Sequence, residues 1–282
     1  MAIKVAVTGA SGFIGKHVIR ELLKRKVNIT AVTRNKNSLL EFKDDVEIIE
    51  LDIYIVRDDM FGHLGKPDIL IHLAWGGLPN YKSTFHLSKE LPAQLNFLET
   101  VIKGGLKSLL ITGTCFEYGM QTGCLSESDD TKPSNSYGLA KNNLRKKIEE
   151  LKLEYSFNLV WTRLFYIFGE GQGSSAIYSQ IKKAIHEGEK VFNMSLGEQI
   201  RDYLPVEEVA NYLVRLILLN KDIGIVNVSS GEPLALKSVV KNWVEINRWN
   251  IKLNFGYYPY SDHEPMNFWG SNVKCKSLLR FF

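Results

Sequence analysis

Three side chains in the middle of the sequence have the types and spacing for proton transfer: Thr114, Tyr137 and Lys141. Tyr137 and Lys141 are four residues apart in a pattern that predicts a helix opening near Asn135, so they share one face. A phenol has a pKa of about 10, and an adjacent ammonium is expected to lower it toward neutrality. Thr114 follows a predicted strand over residues 108–112, and its hydroxyl is placed to orient a carbonyl oxygen. Together they predict a catalytic site that moves a proton to or from such an oxygen.

The N-terminal stretch 8–15, TGASGFIG, predicts a phosphate-binding turn for a dinucleotide. It has the spacing GxxGxxG and joins an apolar strand, residues 3–7, to an amphipathic helix. Glycine allows the tight turn and a close approach to the pyrophosphate, whose charge the helix N-terminus stabilises. The expected cofactor contacts in this turn are Gly9, Ser11, Gly12, Phe13, Ile14 and Gly15.

The end of the second predicted strand, residues 28–33, bears on the choice of cofactor. An acidic residue there binds the ribose 2′-hydroxyl of NAD, whereas an arginine accommodates the 2′-phosphate of NADP. The sequence has Arg34 and no carboxylate, so NADP(H) is favoured over NAD(H). The alternatives for Arg34 are stacking on the adenine or facing solvent.

Two later strand ends are expected to reach the same cofactor. Asp52 and Ile53 follow the third predicted strand and are expected beside the adenine, with a turn role as the alternative for Asp52. Leu73, Ala74 and Trp75 close the fourth, where small residues let the backbone pass near the cofactor.

Composition bounds the class of protein. The chain has 282 residues, is 45% hydrophobic and carries a formal charge of +4, so we expect a folded protein without a nucleic-acid partner. No apolar run is long enough to span a membrane, and a cytoplasmic location is expected. Cys115, Cys124 and Cys275 lack metal-ligand spacing, so no metal site is predicted.

Strand and helix patterns alternate along the chain, which predicts an α/β fold: a Rossmann-type doubly wound parallel sheet with a smaller interleaved C-terminal substrate lobe. The predicted cofactor domain covers residues 1–168 and receives about 205–230. The predicted substrate lobe covers 169–204 and 231–282.

The ordered motifs resemble those of the extended short-chain dehydrogenases/reductases, in the group of nucleotide-sugar epimerases, dehydratases and reductases. TGASGFIG resembles TGxxGxxG, HLAW resembles HLAA, GTCFEYG resembles SSxxVYG, YGLAK resembles YxxxK, RLFYIFGEG resembles RxxNVYGPG, and RDYLPVEEVA resembles RDxxHVxDVA. The resemblance implies that Thr114, Tyr137 and Lys141 form the catalytic triad and that Arg201 binds the nucleotide diphosphate. It also implies a cofactor contact at Tyr166, where the family has asparagine.

Departures from the family narrow the implied reaction. The 4,6-dehydratases have Asp-Glu directly after the triad hydroxyl, where this chain has Cys115-Phe116. The GDP-fucose synthases place an epimerising cysteine at the position of Phe116, so Cys115 comes one residue too early. Neither dehydration nor coupled epimerisation is expected, and Thr114, Cys115 and Phe116 are expected to contact the sugar.

The resulting hypothesis is NADPH-dependent reduction of the 4-keto group of a nucleotide-activated 6-deoxyhexose, such as dTDP-4-dehydro-6-deoxyglucose, for deoxysugar and surface polysaccharide biosynthesis. One alternative is an NAD-dependent nucleotide-sugar 4-epimerase with the same triad. An alternative of another class is a non-catalytic NADP sensor or scaffold. The resemblance also implies a homodimer paired through helices over residues 87–103 and 135–155.

Overall fold

The computed structural model describes residues 2–55, 57–260 and 265–280. Its strands are β1 (Ile3–Thr8), β2 (Val27–Thr33), β3 (Glu47–Glu50), β4 (Ile69–His72), β5 (Ser108–Thr114), β6 (Gly123–Leu125), β7 (Asn158–Leu164), β8 (Tyr166–Phe168), β9 (Val191–Asn193), β10 (Ile200–Arg201), β11 (Tyr203–Pro205), β12 (Gly224–Val228), β13 (Leu234–Ala235), β14 (Lys252–Asn254) and β15 (Phe268–Gly270). Its helices are α1 (Phe13–Leu23), α2 (Met60–His63), α3 (Leu91–Lys103), α4 (Ser136–Leu151), α5 (Ile177–His186), α6 (Val206–Leu218), α7 (Leu236–Ile246) and α8 (Val273–Leu279). A π turn, His86–Glu90, precedes α3, and a 3₁₀ turn, Cys115–Glu117, follows β5.

Seven parallel strands form the central sheet in the order β3-β2-β1-β4-β5-β7-β12. The strand order reverses between β1 and β4, which opens a crevice at the carboxyl ends of these two strands. The predicted doubly wound parallel fold is therefore confirmed. The glycine turn after β1 and Thr114 at the end of β5 both lie at this edge of the sheet.

Helices cover both faces of the sheet because each presents an apolar face to it. On one face α1 and α6 contribute Val18, Leu22 and Leu213 to a core shared with β1 and β2. On the other face α3 and α4 contribute Phe97 and Leu144 to a second core. Residues 5–8 of β1 and all of β5 are buried because these strands meet a helical layer on each side.

A third apolar cluster belongs to the shorter elements that follow β7. Ile181 of α5, Phe192 of β9 and Trp243 of α7 are buried in it. In contrast, α8 packs on α6 and β12 and places Cys275 in the core of the main sheet. The C-terminal helix α8 therefore packs with the main sheet. The domain boundaries given above stay a prediction.

Candidate active site

A cavity of about 700 Å³ opens at the carboxyl ends of the strands, between the sheet and the shorter elements. Its lining combines the glycine turn, the Thr-Tyr-Lys set and segments of the smaller apolar cluster. The sequence-predicted residues that line it are Gly9, Gly12, Phe13, Ile14, Gly15, Leu73, Trp75, Thr114, Cys115, Phe116, Tyr137, Lys141 and Tyr166. The structure thus brings most of the predicted site residues to one place.

The glycine turn has the close backbone contacts that its spacing predicts. Gly9 has a φ of +68°, and a Cβ on it would lie 2.7 Å from the backbone nitrogen of Ala74. A Cβ on Gly15 would lie 2.2 Å from the carbonyl oxygen of Gly9. No side chain caps the first turn of α1 at Gly12 within the described residues, so its N–H groups face the cavity mouth. This cradle fits the pyrophosphate of a dinucleotide.

Thr114 is fixed by the 3₁₀ turn that follows it. Its Oγ1 accepts a hydrogen bond from the backbone N–H of Phe116 at 3.3 Å, and the Glu117 carboxylate accepts one from the Thr114 N–H at 3.0 Å. This reciprocal arrangement is a capping box. Because the Thr114 oxygen is held as an acceptor, its proton is directed to another partner.

Glu117 is the buried anchor of this turn, and the sequence reasoning missed it. Its carboxylate accepts hydrogen bonds from the indole N–H of Trp161 at 3.0 Å and from Nε of Arg163 at 2.9 Å. Burial opposes the charge of Arg163, but Glu117 and Tyr118 hold the pKa of the guanidinium above its usual value. The signal in the sequence was the spacing Thr-x-x-Glu from Thr114 to Glu117.

Tyr137 and Lys141 are brought to Thr114 by a close approach of α4. Asn135 caps the helix by accepting a hydrogen bond from the N–H of Gly138 at 2.8 Å. A Cβ on Gly138 would lie 2.5 Å from the carbonyl oxygen of Phe116. Glycine at this position therefore lets the helix touch the 3₁₀ turn and sets the triad geometry.

Burial is the main cause of the shifted pKa of Tyr137. It raises the pKa of the phenol well above its usual range, and the nearby Tyr81, Cys115 and Glu117 act in the same direction. A hydrogen bond with Thr114 acts against this rise. The expected fall of this pKa beside Lys141 is therefore wrong, because burial raises the pKa instead. Tyr137 is a protonated phenol that can donate a proton.

Lys141 is also buried, with about 1% of its surface exposed. Its Nζ donates a hydrogen bond to the carbonyl oxygen of Thr112 at 2.7 Å and lies 3.9 Å from the ring centre of Trp75. Burial lowers the pKa of Lys141 to about 7, while the charges of Glu117 and Glu90 act in the opposite direction. Its charge state therefore changes near neutral pH.

Aromatic rings surround Tyr137 where it lines the cavity. The ring of Tyr81 lies 4.9 Å from that of Phe116 and 5.6 Å from that of Tyr137, and Trp75 meets Tyr137 edge to face at 5.8 Å. The backbone N–H of Tyr137 also donates to the carbonyl oxygen of Tyr81 at 3.0 Å. Sequence reasoning missed Tyr81, because a lone aromatic in a loop carries no pattern that places it beside a helix distant in sequence.

Gln172 is a second lining residue that was missed. Its Nε2 donates to the carbonyl oxygen of Ile167 at 2.6 Å, while its Oε1 is buried and has no partner among the described residues. The bond to Ile167 fixes the orientation of the amide, since the reversed amide would set two oxygens against each other. The amide oxygen can therefore accept a hydrogen bond from a ligand or a water molecule in the cavity.

Arg201 is placed differently from the other predicted contacts. It is buried outside the cavity lining, and its Nη1 donates to the carbonyl oxygens of Ile200 at 2.9 Å and Met266 at 3.1 Å. Its guanidinium lies 5.3 Å from the ring centres of both Tyr166 and Phe268. Arg201 therefore packs against the ring of Tyr166, and the binding of a diphosphate by Arg201 stays a prediction.

The residues expected around the adenosine lie outside the cavity lining as well. Arg34 is exposed at the end of β2, and Ser11 bonds Thr33 there, with 3.0 Å between their hydroxyl oxygens. Asp52 accepts a hydrogen bond from the N–H of Tyr54 at 3.0 Å, which is the turn role given as its alternative. Ile53 packs into the sheet core.

Ala74 acts through its backbone, which contacts Gly9. The described residues contain no cluster of three or more metal-ligating side chains, and none of the described helices has the length and apolar character to cross a membrane.

The fold, the glycine cradle and the Thr-Tyr-Lys set define a nicotinamide-dependent oxidoreductase of the short-chain dehydrogenase/reductase class. The chain belongs to the NAD dependent epimerase/dehydratase family, whose sequence profile matches residues 5–229. The predicted family and enzyme class are thus confirmed.

Two known proteins with similar sequences are named for reactions of dTDP-linked sugars. The chain is 28% identical over 269 residues to the dTDP-6-deoxy-L-talose 4-dehydrogenase (NAD(+)) of Aggregatibacter actinomycetemcomitans, covering 95% of this chain and 99% of that protein. It is 23% identical over 261 residues to the dTDP-4-dehydro-6-deoxyglucose reductase of Escherichia coli, covering 84% and 79%. The solved structure of the UDP-glucuronic acid 4-epimerase of Bacillus cereus with UDP-glucuronic acid and NAD matches with a TM-score of 0.85 at 20% identity, over 99% of this chain and 94% of that one.

Proposed function

We propose that this protein reduces the 4-keto group of a nucleotide-activated 6-deoxyhexose, such as dTDP-4-dehydro-6-deoxyglucose. The observation that carries the proposal is the position of Tyr137, a buried phenol that lines the cavity and is hydrogen-bonded to Thr114. Reduction of a ketone requires such a proton donor. Two of the relatives described above are named for chemistry at C4 of a 6-deoxyhexose.

The lining of the cavity supports a sugar without a carboxylate. Lys141 is the one charged side chain among the described residues that line it, and its Nζ is engaged with Thr112 and Trp75. Phe116 and Tyr81 give the site beside Tyr137 an apolar surface. A methyl group at C6 gains from such a surface, whereas the carboxylate of a uronic acid is left without a cation.

The mechanism follows from the positions of three side chains. A nicotinamide cofactor supplies the hydride for C4 when it is bound. Tyr137 donates its phenolic proton to the C4 oxygen, and the hydroxyl of Thr114 and the charge of Lys141 stabilise the phenolate that remains. Cys115 and Phe116 offer no acid and base pair for dehydration.

The proposed cofactor is NADP(H), because Arg34 follows β2 without a carboxylate next to it in the sequence. NAD(H) is the alternative that the family and the relatives favour. Replacing Arg34 by alanine tests the choice: kcat/KM for NADPH is expected to fall about tenfold while that for NADH stays unchanged. A wild-type enzyme that prefers NADH makes NAD(H) the cofactor.

The direct test is a purified-enzyme assay that follows NADPH and NADH oxidation with dTDP-, GDP-, UDP- and CDP-linked 4-keto-6-deoxyhexoses. Tyr137→Phe is expected to lower kcat by about 100-fold or more, because the proton donor is lost. Tyr212→Phe, in α6 and outside the cavity lining, is the matched control and should retain activity. Absence of turnover with every nucleotide form contradicts the proposal.

The alternative is a 4-epimerase, which the description of the family itself favours. An epimerase oxidises and re-reduces its sugar without net consumption of cofactor. Purified protein that carries tightly bound NAD(H) and interconverts sugars at C4 without added cofactor would establish this alternative. If Tyr137→Phe leaves cellular function unchanged, the non-catalytic sensor is the better description.

A further inference from the structure

Glu90 is a fully buried carboxylate, and its hydrogen-bond donors among the described residues are all neutral. It ends the π turn before α3. Its Oε1 accepts from the backbone N–H of Gly76 at 2.8 Å and from Nε2 of Gln94 at 2.7 Å. Its Oε2 accepts from the hydroxyl of Tyr54. A buried charge of this kind is costly unless another charge balances it.

The contacts of Glu90 hold the loop that follows β4. Gln94 donates to the carbonyl oxygen of Ala74 at 2.9 Å, so Glu90 and Gln94 together fix the backbone on both sides of Trp75. The indole N–H of Trp75 donates to His86, which lies in the same π turn, at 3.2 Å. The position of Trp75 is therefore determined by the segment that carries Glu90.

The same loop contacts Lys141 through Trp75, because Nζ of Lys141 lies 3.9 Å from the centre of the Trp75 ring. Glu90, Glu117 and His72 interact electrostatically with Lys141, and Tyr137 lies one turn earlier on α4. Burial lowers the pKa of His72 to about 3 and raises that of Tyr137, so both are neutral near pH 7.

Glu117 is already paired with a cation, because Nε of Arg163 lies 2.9 Å from its Oε2. Glu90, whose donors are neutral, supplies the other negative charge that acts on Lys141. The two buried opposite charges are thus linked through Trp75 and its loop.

We propose that Glu90 is a positioning residue that holds the loop after β4 against the catalytic site and balances the buried ammonium of Lys141. The charge balance is a property of the folded chain. Its consequence for catalysis rests on the proposed function.

The substitution Glu90→Gln removes the negative charge of the side chain while keeping its size and shape. The amide oxygen of the new side chain can accept from Gly76 and Gln94, and its NH₂ can donate to the hydroxyl oxygen of Tyr54, which turns its own proton away. The hydrogen-bonded framework is retained and the negative charge is removed. Glu99→Gln is the matched control, since Glu99 lies on α3 and pairs with Lys103 at the surface.

The test is an NMR titration of protein labelled with ¹³C at the lysine ε-carbons, in which Lys141→Met assigns the Lys141 signal. The wild-type midpoint is expected near pH 7. Glu90→Gln is expected to lower this midpoint by at least about 0.5 unit, because an opposite charge is lost. Glu99→Gln should leave it unchanged. Equal midpoints in Glu90→Gln and the wild-type protein overturn the proposal.

Two further measurements separate this proposal from a purely structural role and from the proposed function. If Glu90→Gln folds poorly, urea unfolding of Glu90→Gln, Lys141→Met and the double variant replaces the titration. The double variant is then expected to have a higher free energy of unfolding than the summed effects of the two single changes predict, and strict additivity refutes the charge balance.

In the reductase assay, the alkaline limb of the pH profile of kcat/KM should move to lower pH in Glu90→Gln. If the NMR midpoint shifts but the protein has no reductase activity, the proposed role of Glu90 is supported and only the proposed reductase function is rejected.

Discussion

Tyr137 and Lys141 share one face of α4, and burial moves each toward its neutral form. The phenol keeps its proton because its pKa rises, and the ammonium loses its proton near pH 7 because its pKa falls to about 7. Tyr137 is therefore the proton donor of the pair, and Lys141 stabilises the resulting phenolate only while it keeps its charge, below about pH 7. Thr114, which opposes the rise for Tyr137, is the side chain that eases departure of that proton.

Gln172 gives a prediction at the same scale. Gln172→Met keeps the shape of the side chain but removes the amide oxygen that lacks a partner, so ligand binding is expected to weaken by about tenfold. Dissociation constants for NADPH and for the nucleotide sugar, measured separately, show which of them supplies the donor. Gln180→Met is the control, because Gln180 is exposed on α5 and donates to the carbonyl oxygen of Ser175. Unchanged affinity for both ligands removes Gln172 from the binding site.

The cysteines give a second residue-scale prediction. Cys124 is exposed, whereas Cys115 and Cys275 are buried, and burial raises the pKa of the Cys275 thiol to about 12. A low thiolate fraction and poor access both slow alkylation. Iodoacetamide at pH 8 is therefore expected to label Cys124 in the folded protein, and all three thiols only after denaturation. Mass spectrometry of peptides reads out the sites, and labelling of Cys275 in the folded protein contradicts the packing of α8.

At the scale of elements, the site depends on how closely α4 approaches the turn after β5. Glu117 fixes that turn from within, and Gly138 allows the helix to meet it. The helix and the turn are joined by a chain segment of 18 residues, 118–135, so their contact is set by packing rather than by connection.

Gly138→Ala tests this contact. Its methyl group would lie 2.5 Å from a backbone carbonyl oxygen that cannot turn aside, so α4 must shift away from Thr114. We expect a loss of about 1–3 kcal/mol in the free energy of unfolding and a larger fractional loss of kcat. Gly173→Ala is the matched control, because no atom lies within 4 Å of the added Cβ. Urea unfolding and the reductase assay measure the two effects, and equal behaviour of both variants contradicts the role of Gly138.

The elements that the sequence predicted best are those whose pattern is local. The predicted strand over residues 28–33 is observed as Val27–Thr33, because an apolar run between polar turns identifies a buried strand. The start of α3 was placed four residues early, since the π turn His86–Glu90 has a helical pattern although its hydrogen bonds differ. The sequence does not predict the roles of Glu90 and Tyr81, because their contacts are with residues distant in sequence and no periodic pattern indicates such contacts.

At the scale of the whole molecule, the predicted homodimer would pair α3 and α4 of two copies. Light scattering is expected to give about twice the chain mass of 32.1 kDa. Leu139 is 38% exposed on α4, and Leu139→Asp would place a charge in such an interface and shift the protein to monomer. A wild-type species of 32 kDa contradicts the dimer.

The burial of Lys141 also predicts how the stability of the whole chain depends on pH. The pKa of Lys141 is 10.5 in an exposed state and about 7 in the folded protein, so the unfolded chain binds more protons between these values. Its contribution to the free energy of unfolding therefore rises with pH across this window and is least favourable below pH 7. Lys141→Met is expected to stabilise the protein by a few kcal/mol at pH 7, a gain that declines toward pH 10. Urea unfolding at several pH values measures the difference, with Lys146→Met on the exposed face of α4 as control. A stabilisation that does not change with pH would show that Lys141 titrates normally in the folded protein.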